Sequence, residues 1–338
     1  MSSFGEWGSD GGLPVFHETV HPDDEVCAWD PIVAPVTKRH WCALGNRRLQ
    51  VIFDNHATAA IRDTASGFAW LTPRSGTGAT VIDAAWGTDF ARWPASWKNQ
   101  APVRTWGPTW FTLEGEHDGI RVSRMIGLPE GDAPWMFVRV AVTSATARSV
   151  TVSEEWELAE GAVLASFRDE DRRETTQEVA LEAGVPFVEW FAVGLLDEEP
   201  PPTDPEAAWA ESLAALHERL PSASCDAIPA LAREVPWHVA LLTGGACIDK
   251  VLGGHTLDQA SAYSFDLGFN GAARDPLQHA LPLVYTEPDL ALSVLRNTCA
   301  WAGPDGALPY ALDGSKRPIT EWFDPSDQAL WSLWLAAE

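Results

Sequence analysis

Between residues 46 and 196, short apolar runs alternate with polar turns, a pattern that predicts β-strands. The runs include RLQVIFDN, IRVSRMIGL, PWMFVRVAVTS and VPFVEWFAVGLL, which are rich in valine, isoleucine and aromatic residues. Gly, Pro, Asp and Ser stand between them, and these residues favour tight turns. Many short strands connected in this way predict an antiparallel β-sandwich.

After residue 197, the spacing of the apolar residues changes to that of a helix. The segment DEEPPPTDPEA, residues 197–207, is acidic and proline-rich, which is typical of a linker. Trp209, Leu213, Leu216 and Leu220 then follow at i, i+4, i+7 and i+11. This spacing places them on one face of a helix.

Two more helices are predicted downstream. Asp226 is a candidate N-cap for the first, which carries Leu231, is expected to be disturbed at Pro236 and ends before Gly253-Gly254. The second begins at Pro288 and has an apolar face.

The last predicted helix begins at Asp324-Pro325, with the proline at its first helical position. Its sequence, PSDQALWSLWLAAE, is apolar nearly all round and therefore predicts a helix buried on every side. No Gly, Asn or Pro stop signal ends it. We therefore expect the chain to be the N-terminal part of a longer protein.

The patterns divide the chain into four predicted parts. Residues 1–40 are rich in Gly, Pro and Asp and have little periodicity, which predicts an irregular arm. Residues 41–197 form the predicted β-sandwich, and residues 198–225 form a linker with a helix. Residues 226–338 form the beginning of a helical domain.

The charge of the chain is strongly negative, since 48 Asp and Glu face 23 Lys and Arg, for a net charge of -25. Such a field repels a phosphate backbone and an anionic membrane surface, so neither nucleic acid nor a membrane is an expected partner. The start of the chain, MSSFGEWGSDGG, has no basic segment followed by an apolar one, and no apolar run reaches the ~18 residues of a membrane span. We predict a soluble, cytoplasmic protein.

The cysteines are odd in number, scattered and without a CxxC pair: Cys27, Cys42, Cys225, Cys247 and Cys299. They are interpreted as reduced structural thiols. The histidines, including His238 and His255, have no spacing with acidic residues that suits a metal. Neither a metal nor a cofactor is predicted.

Tryptophan is abundant, with 18 residues against 3 tyrosines. Several lie within one short segment: Trp86, Trp93, Trp97, Trp106 and Trp110. Indole rings bury a large area and can stack on sugar rings. Each ring alone is an ordinary core residue of a sandwich, whereas the group as a whole favours the lining of a cleft or of a domain interface.

Two short motifs carry a resemblance to a known family. Residues Ala273-Arg274-Asp275-Pro276-Leu277-Gln278 resemble an F-R-D-x-x-Q-D element, and Pro325-Ser326-Asp327-Gln328 resembles an S-D-D element before an inner helix. Together they resemble the six-hairpin glycosidases, most closely the cellobiose phosphorylase-like enzymes (glycoside hydrolase family 94 and relatives). The resemblance is clearest over residues 234–338.

The resemblance implies a β + α multidomain fold. An N-terminal antiparallel β-sandwich (supersandwich) would be followed by a helical linker and the first hairpins of an (α/α)6 barrel. It also implies that Asp275 binds hydroxyls of the reacting sugar, with Arg274 orienting it. Asp327, Gln278 and Tyr263 are the other expected substrate-binding residues.

A structural interpretation of the same residues stays open. Asp275, Pro276 and Gln278 have the spacing of an N-cap, a first-position proline and a capping-box glutamine. Asp327 suits the first turn of a helix, where the helix dipole favours a carboxylate. The sequence departs from the family pattern at His279, where a second acid would stand, and at GFNGAA, residues 268–273.

The implied activity is that of an inverting glycoside hydrolase or phosphorylase acting on a β-linked glucan or oligosaccharide. Inversion needs a general acid and either an activated water or phosphate, which would be the co-substrate of a phosphorylase. No residue here matches the family's general acid, so no catalytic residue is assigned. A homodimer is an open possibility.

Two other classes of protein compete with the enzyme. One is a non-catalytic carbohydrate-binding or structural module. The other is an (α/α)6 prenyl cyclase, which needs a DDxxD or DxDD motif. The only adjacent pair of aspartates, Asp23-Asp24, lies far from the predicted helices.

Overall fold

The computed structural model describes residues 5–18, 41–54, 56–65, 69–97, 102–168, 175–249, 252–257, 272–312, 318–319 and 326–338. The chain divides into two compact units. The first comprises Met1–Leu44, Val51–Ile61 and Trp70–Ala214, and the second comprises Gly45–Gln50, Arg62–Ala69 and Ala215–Glu338.

The described part of the chain is mostly strands. In chain order these are β1 Gly5–Asp10, β2 Leu13–Glu18, β3 Trp41–Gly45, β4 Leu49–Asp54, β5 Ala59–Asp63, β6 Ala69–Trp70, β7 Ala79–Ile82, β8 Trp86–Gly87, β9 Val103–Trp106, β10 Trp110–His117, β11 Ile120–Gly127, β12 Trp135–Ser144, β13 Arg148–Glu155, β14 Val163–Ser166, β15 Thr176–Leu181, β16 Phe187–Gly194, β17 Ala246–Asp249, β18 Gly254–Leu257, β19 Ala311–Leu312 and β20 Pro318–Ile319. The helices are α1 Pro94–Trp97, α2 Pro205–Arg219, α3 Leu231–Gly244, α4 Asp275–Ala280, α5 Pro288–Cys299 and α6 Gln328–Ala337, with a short 3-10 helix at Pro282–Tyr285.

Two antiparallel sheets make up most of the first unit. One has the order β1-β2-β9-β10-β11-β12-β16-β14 and the other the order β15-β13-β7-β8. Val138, Val140 and Val142 alternate with half-buried residues along β12, as a strand with one face in a core requires. The predicted antiparallel sheets are therefore present, and they have the character of a β-sandwich. A further sheet has the order β3-β4-β5-β6.

A buried ion pair connects the two main sheets. Nη2 of Arg124 on β11 lies 2.5 Å from Oε1 of Glu154 on β13, and both side chains are almost fully buried. The Thr80 hydroxyl donates to Oε2 of Glu154 at 2.7 Å, and the Trp156 indole donates to Oε1 at 2.8 Å. Each carboxylate oxygen thus has more than one donor, which offsets the cost of burying the charge.

The tryptophan-rich segment lies mainly in the core of this unit. Trp86, Trp97, Trp106 and Trp110 are at most 6% exposed, and only Trp93 of the group is half-buried. The Trp97 indole donates to the carbonyl of Gly87 at 2.8 Å. These four rings do not line an open cleft, because their faces are used in packing. The interpretation of each tryptophan as an ordinary core residue is confirmed for them.

Residues 5–18 form a regular hairpin, although the sequence predicted an irregular arm over residues 1–40. Strands β1 and β2 pair from Gly5 with Glu18 to Asp10 with Leu13. Gly11 and Gly12 make the turn with φ values of 55° and 87°, a conformation that glycine adopts without strain. The sequence Asp10-Gly11-Gly12 is typical of such a turn, but the flanking residues have too little strand periodicity for the hairpin to be predicted.

The helices agree in part with the sequence predictions. Helix α2 includes Trp209, Leu213 and Leu216 of the predicted apolar face and ends one residue before Leu220. Its N-terminus is capped by Asp204, whose Oδ1 accepts the N–H of Ala207 at 3.0 Å. Helix α5 begins at Pro288 as predicted. Helix α3 begins at Leu231 after Ala230, not at a cap by Asp226, and runs without interruption through Pro236.

Helix α3 also ends earlier than predicted. It stops at Gly244, and the hairpin β17–β18 occupies the stretch that was expected to be helical. At Gly45 a Cβ would lie 1.9 Å from the carbonyl oxygen of Gly244. The two backbones therefore touch where α3 ends, and only glycine fits there.

Helix α6 is not buried on every side, which corrects the prediction. Only Gln328 and Leu335 are buried, whereas Leu330 and Leu333 are each 68% exposed. The described residues that contact α6 belong mainly to α4 and α5. The apolar sequence did not predict this exposure, because the described neighbouring elements cover only one side of the helix.

The four described cysteines, Cys42, Cys225, Cys247 and Cys299, are free thiols, as predicted. Cys27 lies outside the described residues. No helix in the described part of the chain has both the length and the apolar character needed to cross a bilayer.

We expect Glu154→Gln to lower the free energy of unfolding by about 3–5 kcal/mol, because it leaves the buried Arg124 guanidinium without a counter-charge. The adjacent Glu155 is the matched control. Its pair with Arg92 is about half exposed, so Glu155→Gln should cost less than about 1 kcal/mol. Urea unfolding of both variants measures the difference, and equal costs would contradict a structural role for the buried pair.

Candidate functional site

The first motif residues lie at the beginning of α4 in the second unit. The chain reaches them from a bridge between Ala272 and Ala311, and the buried Ala273 packs with Trp301, Leu308 and Leu312. This small apolar cluster places the next residue, Arg274, at the start of the helix. Arg274 and Asp275 are half-buried, so both keep some access to solvent.

The predicted cap at Asp275 is wrong by one residue. The carbonyl of Arg274 accepts the N–H of Gln278 at 3.1 Å, so Arg274 occupies the N-cap position and Asp275 is the first helical residue. No side chain caps this helix. The Asp275 carboxylate therefore makes no capping hydrogen bond, and its only helical advantage is its place in the first turn.

The structure brings the two motifs together through an ion pair. Nη1 of Arg274 lies 3.7 Å from Oδ1 of Asp327, and the two side chains are 40% and 36% exposed. The Nε atom of Arg274 is buried and has no hydrogen-bond partner. Arg274 and Asp327 thus bring one guanidinium and one carboxylate together where α4 and α6 begin, and Asp275 follows Arg274 as the first residue of α4.

Asp327 is held by several donors. The Trp331 indole donates to Oδ2 at 3.0 Å, and the Ser326 hydroxyl donates to Oδ1 at 3.2 Å. The indole hydrogen bond lowers the pKa of the Asp327 carboxyl below its usual range, and Ser326 and Arg274 add to this, against an opposing effect of desolvation. The carboxyl is therefore ionised at neutral pH.

Asp327 does not lie in the first turn of the last helix, where the sequence predicted it. It precedes the first residue of α6 and occupies the N-cap position, but its side chain makes no cap hydrogen bond. Its backbone N–H instead donates to Oε1 of Gln328 at 3.0 Å, and its carbonyl accepts the N–H of Trp331 at 3.1 Å. The backbone of Asp327 starts the helix while its carboxylate is used elsewhere.

Two further predicted site residues are Gln278 and Tyr263. Gln278 lies half-buried on α4, three positions after Asp275. Tyr263 lies outside the described residues. The described residues contain no group of three His, Cys, Asp or Glu side chains that would hold a metal.

The sequence analysis missed Trp331. Its spacing of i, i+4 from Asp327 within one helix was the available signal, because side chains at that spacing lie on the same face. The apolar pattern of the segment does not indicate that the indole N–H of Trp331 can act as a hydrogen-bond donor.

Comparison with known proteins shows the fold. No protein-family model matches the chain, and no curated protein is detectably similar in sequence. Among solved structures, "Putative kojibiose phosphorylase from human microbiome" matches with a TM-score of 0.56 and 10% identity, over 99% of this chain and 56% of that chain. The chain therefore spans little more than half the length of that protein. At this identity the likeness establishes a shared fold with a phosphorylase-type structure, and not membership of glycoside hydrolase family 94.

We expect Asp275→Asn and Asp275→Ala each to change the free energy of unfolding by less than about 1 kcal/mol, because the carboxylate caps nothing. Asp54 serves as a positive control. Its buried carboxylate accepts the N–H groups of His56 and Thr58 and the Thr58 hydroxyl, so Asp54→Ala should cost about 2–3 kcal/mol. Thermal or urea unfolding measures both, and a loss at Asp275 as large as that at Asp54 would show a structural role.

Proposed function

We propose that the chain is part of a carbohydrate-active enzyme, an inverting glycoside hydrolase or phosphorylase that acts on an oligosaccharide or glucan. The observation that carries the proposal is the ion pair between Arg274 and Asp327, which joins the two motifs at the start of the helix that begins with Asp275. These residues come from the two motifs that resemble the six-hairpin glycosidases. The shared fold with a phosphorylase-type structure supports the same class of activity.

The chemistry of these side chains suits sugar hydroxyls. A carboxylate accepts strong, charge-assisted hydrogen bonds, and two vicinal hydroxyls match its two oxygens. Asp275 is not occupied by helix capping, so its oxygens are available for such a ligand. Arg274 supplies N–H donors for ring or hydroxyl oxygens next to the carboxylates.

The bond-breaking step needs more than these residues. An inverting reaction requires an acid that protonates the leaving oxygen, and either an activated water or inorganic phosphate as nucleophile. We assign Arg274, Asp275 and Asp327 to substrate binding, with Gln278 and Tyr263 as further substrate-binding candidates from the family resemblance. No general acid is assigned.

The sugar and its linkage are the finer part of the proposal. The sequence resemblance favours a β-linked glucan or oligosaccharide, whereas the solved structure with the shared fold is named for kojibiose. A non-catalytic carbohydrate-binding module would use the same three side chains without turnover. A panel of disaccharides with and without phosphate separates these alternatives.

The test measures binding and turnover by the purified chain. Calorimetry with glucose, cellobiose, laminaribiose, sophorose and kojibiose reports affinity, and release of glucose or of a sugar phosphate reports reaction. We expect Asp275→Asn to weaken sugar binding about 10- to 100-fold, as the loss of a charge-assisted hydrogen bond would. If turnover occurs, kcat/KM should fall at least ~30-fold.

Asp289→Asn is the matched control for this experiment. Like Asp275, Asp289 is a first-turn aspartate next to a proline, on α5, but it is exposed and follows the proline. Its substitution should leave sugar affinity within about twofold of the wild type. The proposal fails if no sugar of the panel binds, or if Asp275→Asn binds as the wild type does. Turnover by the chain would favour the enzyme over the non-catalytic module, whereas binding without turnover agrees with both, because no general acid is assigned here.

A further inference from the structure

Trp331 makes two separate contacts with Asp327. Its backbone N–H donates to the Asp327 carbonyl at 3.1 Å, and its indole N–H donates to Oδ2 of the Asp327 carboxylate at 3.0 Å. The first contact is part of every regular helix. The second depends on tryptophan, because of the large apolar residues only tryptophan carries a ring N–H donor.

The orientation of the Trp331 ring is itself fixed. It stacks on the Trp334 ring with the centroids 5.1 Å apart and an angle of 14° between the planes. The Trp334 indole donates to Oε1 of Glu338 at 3.3 Å. Stacking on the ring at position 334 restricts the direction in which the Trp331 N–H points, and an aromatic ring there is sufficient for this contact.

Asp327 depends on this donor for its position. Its side chain is 36% exposed, and Arg274 at 3.7 Å is too distant for a strong direct hydrogen bond. Ser326, its other side-chain donor, is an exposed neighbour in sequence. The Trp331 indole is therefore the shortest side-chain contact that the described residues give to this carboxylate.

We propose that Trp331 is a positioning residue: its indole N–H holds Oδ2 of the Asp327 carboxylate. Oδ1 then faces Arg274 and accepts the Ser326 hydroxyl, and its second lone pair stays available to a ligand. The part concerning the ligand rests on the proposed sugar-binding function. The part concerning the carboxylate rests on the geometry alone, and the two parts are tested separately.

The first test concerns the carboxylate and needs no sugar. The carboxyl groups of the protein are isotope-labelled, and the Asp327 resonance is assigned by its loss in Asp327→Asn. NMR then follows this resonance as the pH is lowered. A folded-state pKa that the indole lowers must rise when the indole N–H is removed, so the midpoint should move to higher pH in Trp331→Phe. Trp334→Phe is the matched control, because it removes an indole N–H from the same stacked pair without touching Asp327, and its midpoint should stay at the wild-type value.

Arg274, the charged group that pairs with Asp327 and lowers its pKa, is unchanged in both variants. The titratable groups of α4, Asp275 and His279, and Glu338 after α6 are also retained in both. The wild-type protein supplies a measurement that no folding defect can disturb: the Trp331 indole N–H resonance should shift with the midpoint of Asp327. A resonance that ignores this titration would overturn the proposal.

The second test concerns the ligand. Trp331→Phe should bind the tightest sugar of the panel about three- to tenfold more weakly than the wild type, and Trp334→Phe should bind it within about twofold. An unchanged Asp327 midpoint in Trp331→Phe overturns the proposal, and so does unchanged sugar affinity in that variant. If the wild type binds no sugar, the proposed function fails, whereas a raised midpoint still supports Trp331 as the residue that positions Asp327.

Discussion

One carboxylate, that of Glu287, organises the second unit. Its Oε2 lies 2.9 Å from Nη2 of Arg47, and its Oε1 lies 3.1 Å from Nη1 of Arg219. Arg47 belongs to the turn between β3 and β4, Arg219 ends α2, and Glu287 directly precedes α5. The carboxylate is only 14% exposed, so solvent screens these pairs less than it screens surface pairs. The ends of three separate elements are therefore fixed at one point.

The same constraint explains an unusual backbone conformation. Arg47 has a φ of 72°, a left-handed conformation that disfavours residues with a Cβ. The Asn46 side chain stabilises the turn, because its Oδ1 accepts the N–H of Leu49 at 2.8 Å. Next to it, Arg48 pairs with the fully buried Asp63 at 2.8 Å. Ion pairs on both arginines thus hold a turn whose conformation would otherwise be costly.

Local sequence signals predicted the elements better than their ends. The apolar spacing of α2 and the proline of α5 were sufficient, because both express a local preference of the backbone. The hairpin β17–β18 was missed because its strands are short, and because the predicted helix was extended past Gly244-Gly245 to Gly253-Gly254. Its position depends on distant residues, such as Gln50, whose amide donates to the carbonyl of Gly245.

In the candidate site too, local sequence predicted the residues but not the contacts between them. The motifs identified Asp275 and Asp327, but no spacing in the sequence predicts that Arg274 lies beside Asp327, since tertiary packing of α4 and α6 decides it. The assignment of Asp275 as a cap failed by one residue because helix boundaries respond to the backbone of both neighbours. Tyr263 stays a prediction.

The second unit is assembled from three separate segments of the sequence, and this affects how the chain folds. Its hydrogen bonds join Arg47 to Glu287 across 240 residues and Thr64 to Ile248 across 184 residues. Such a unit has a high contact order, because widely separated segments must meet before their contacts compensate for the lost chain entropy. The segments Gly45–Gln50 and Arg62–Ala69 are synthesised well before the rest of their unit, Ala215–Glu338, so we expect them to reach their native contacts only late in synthesis.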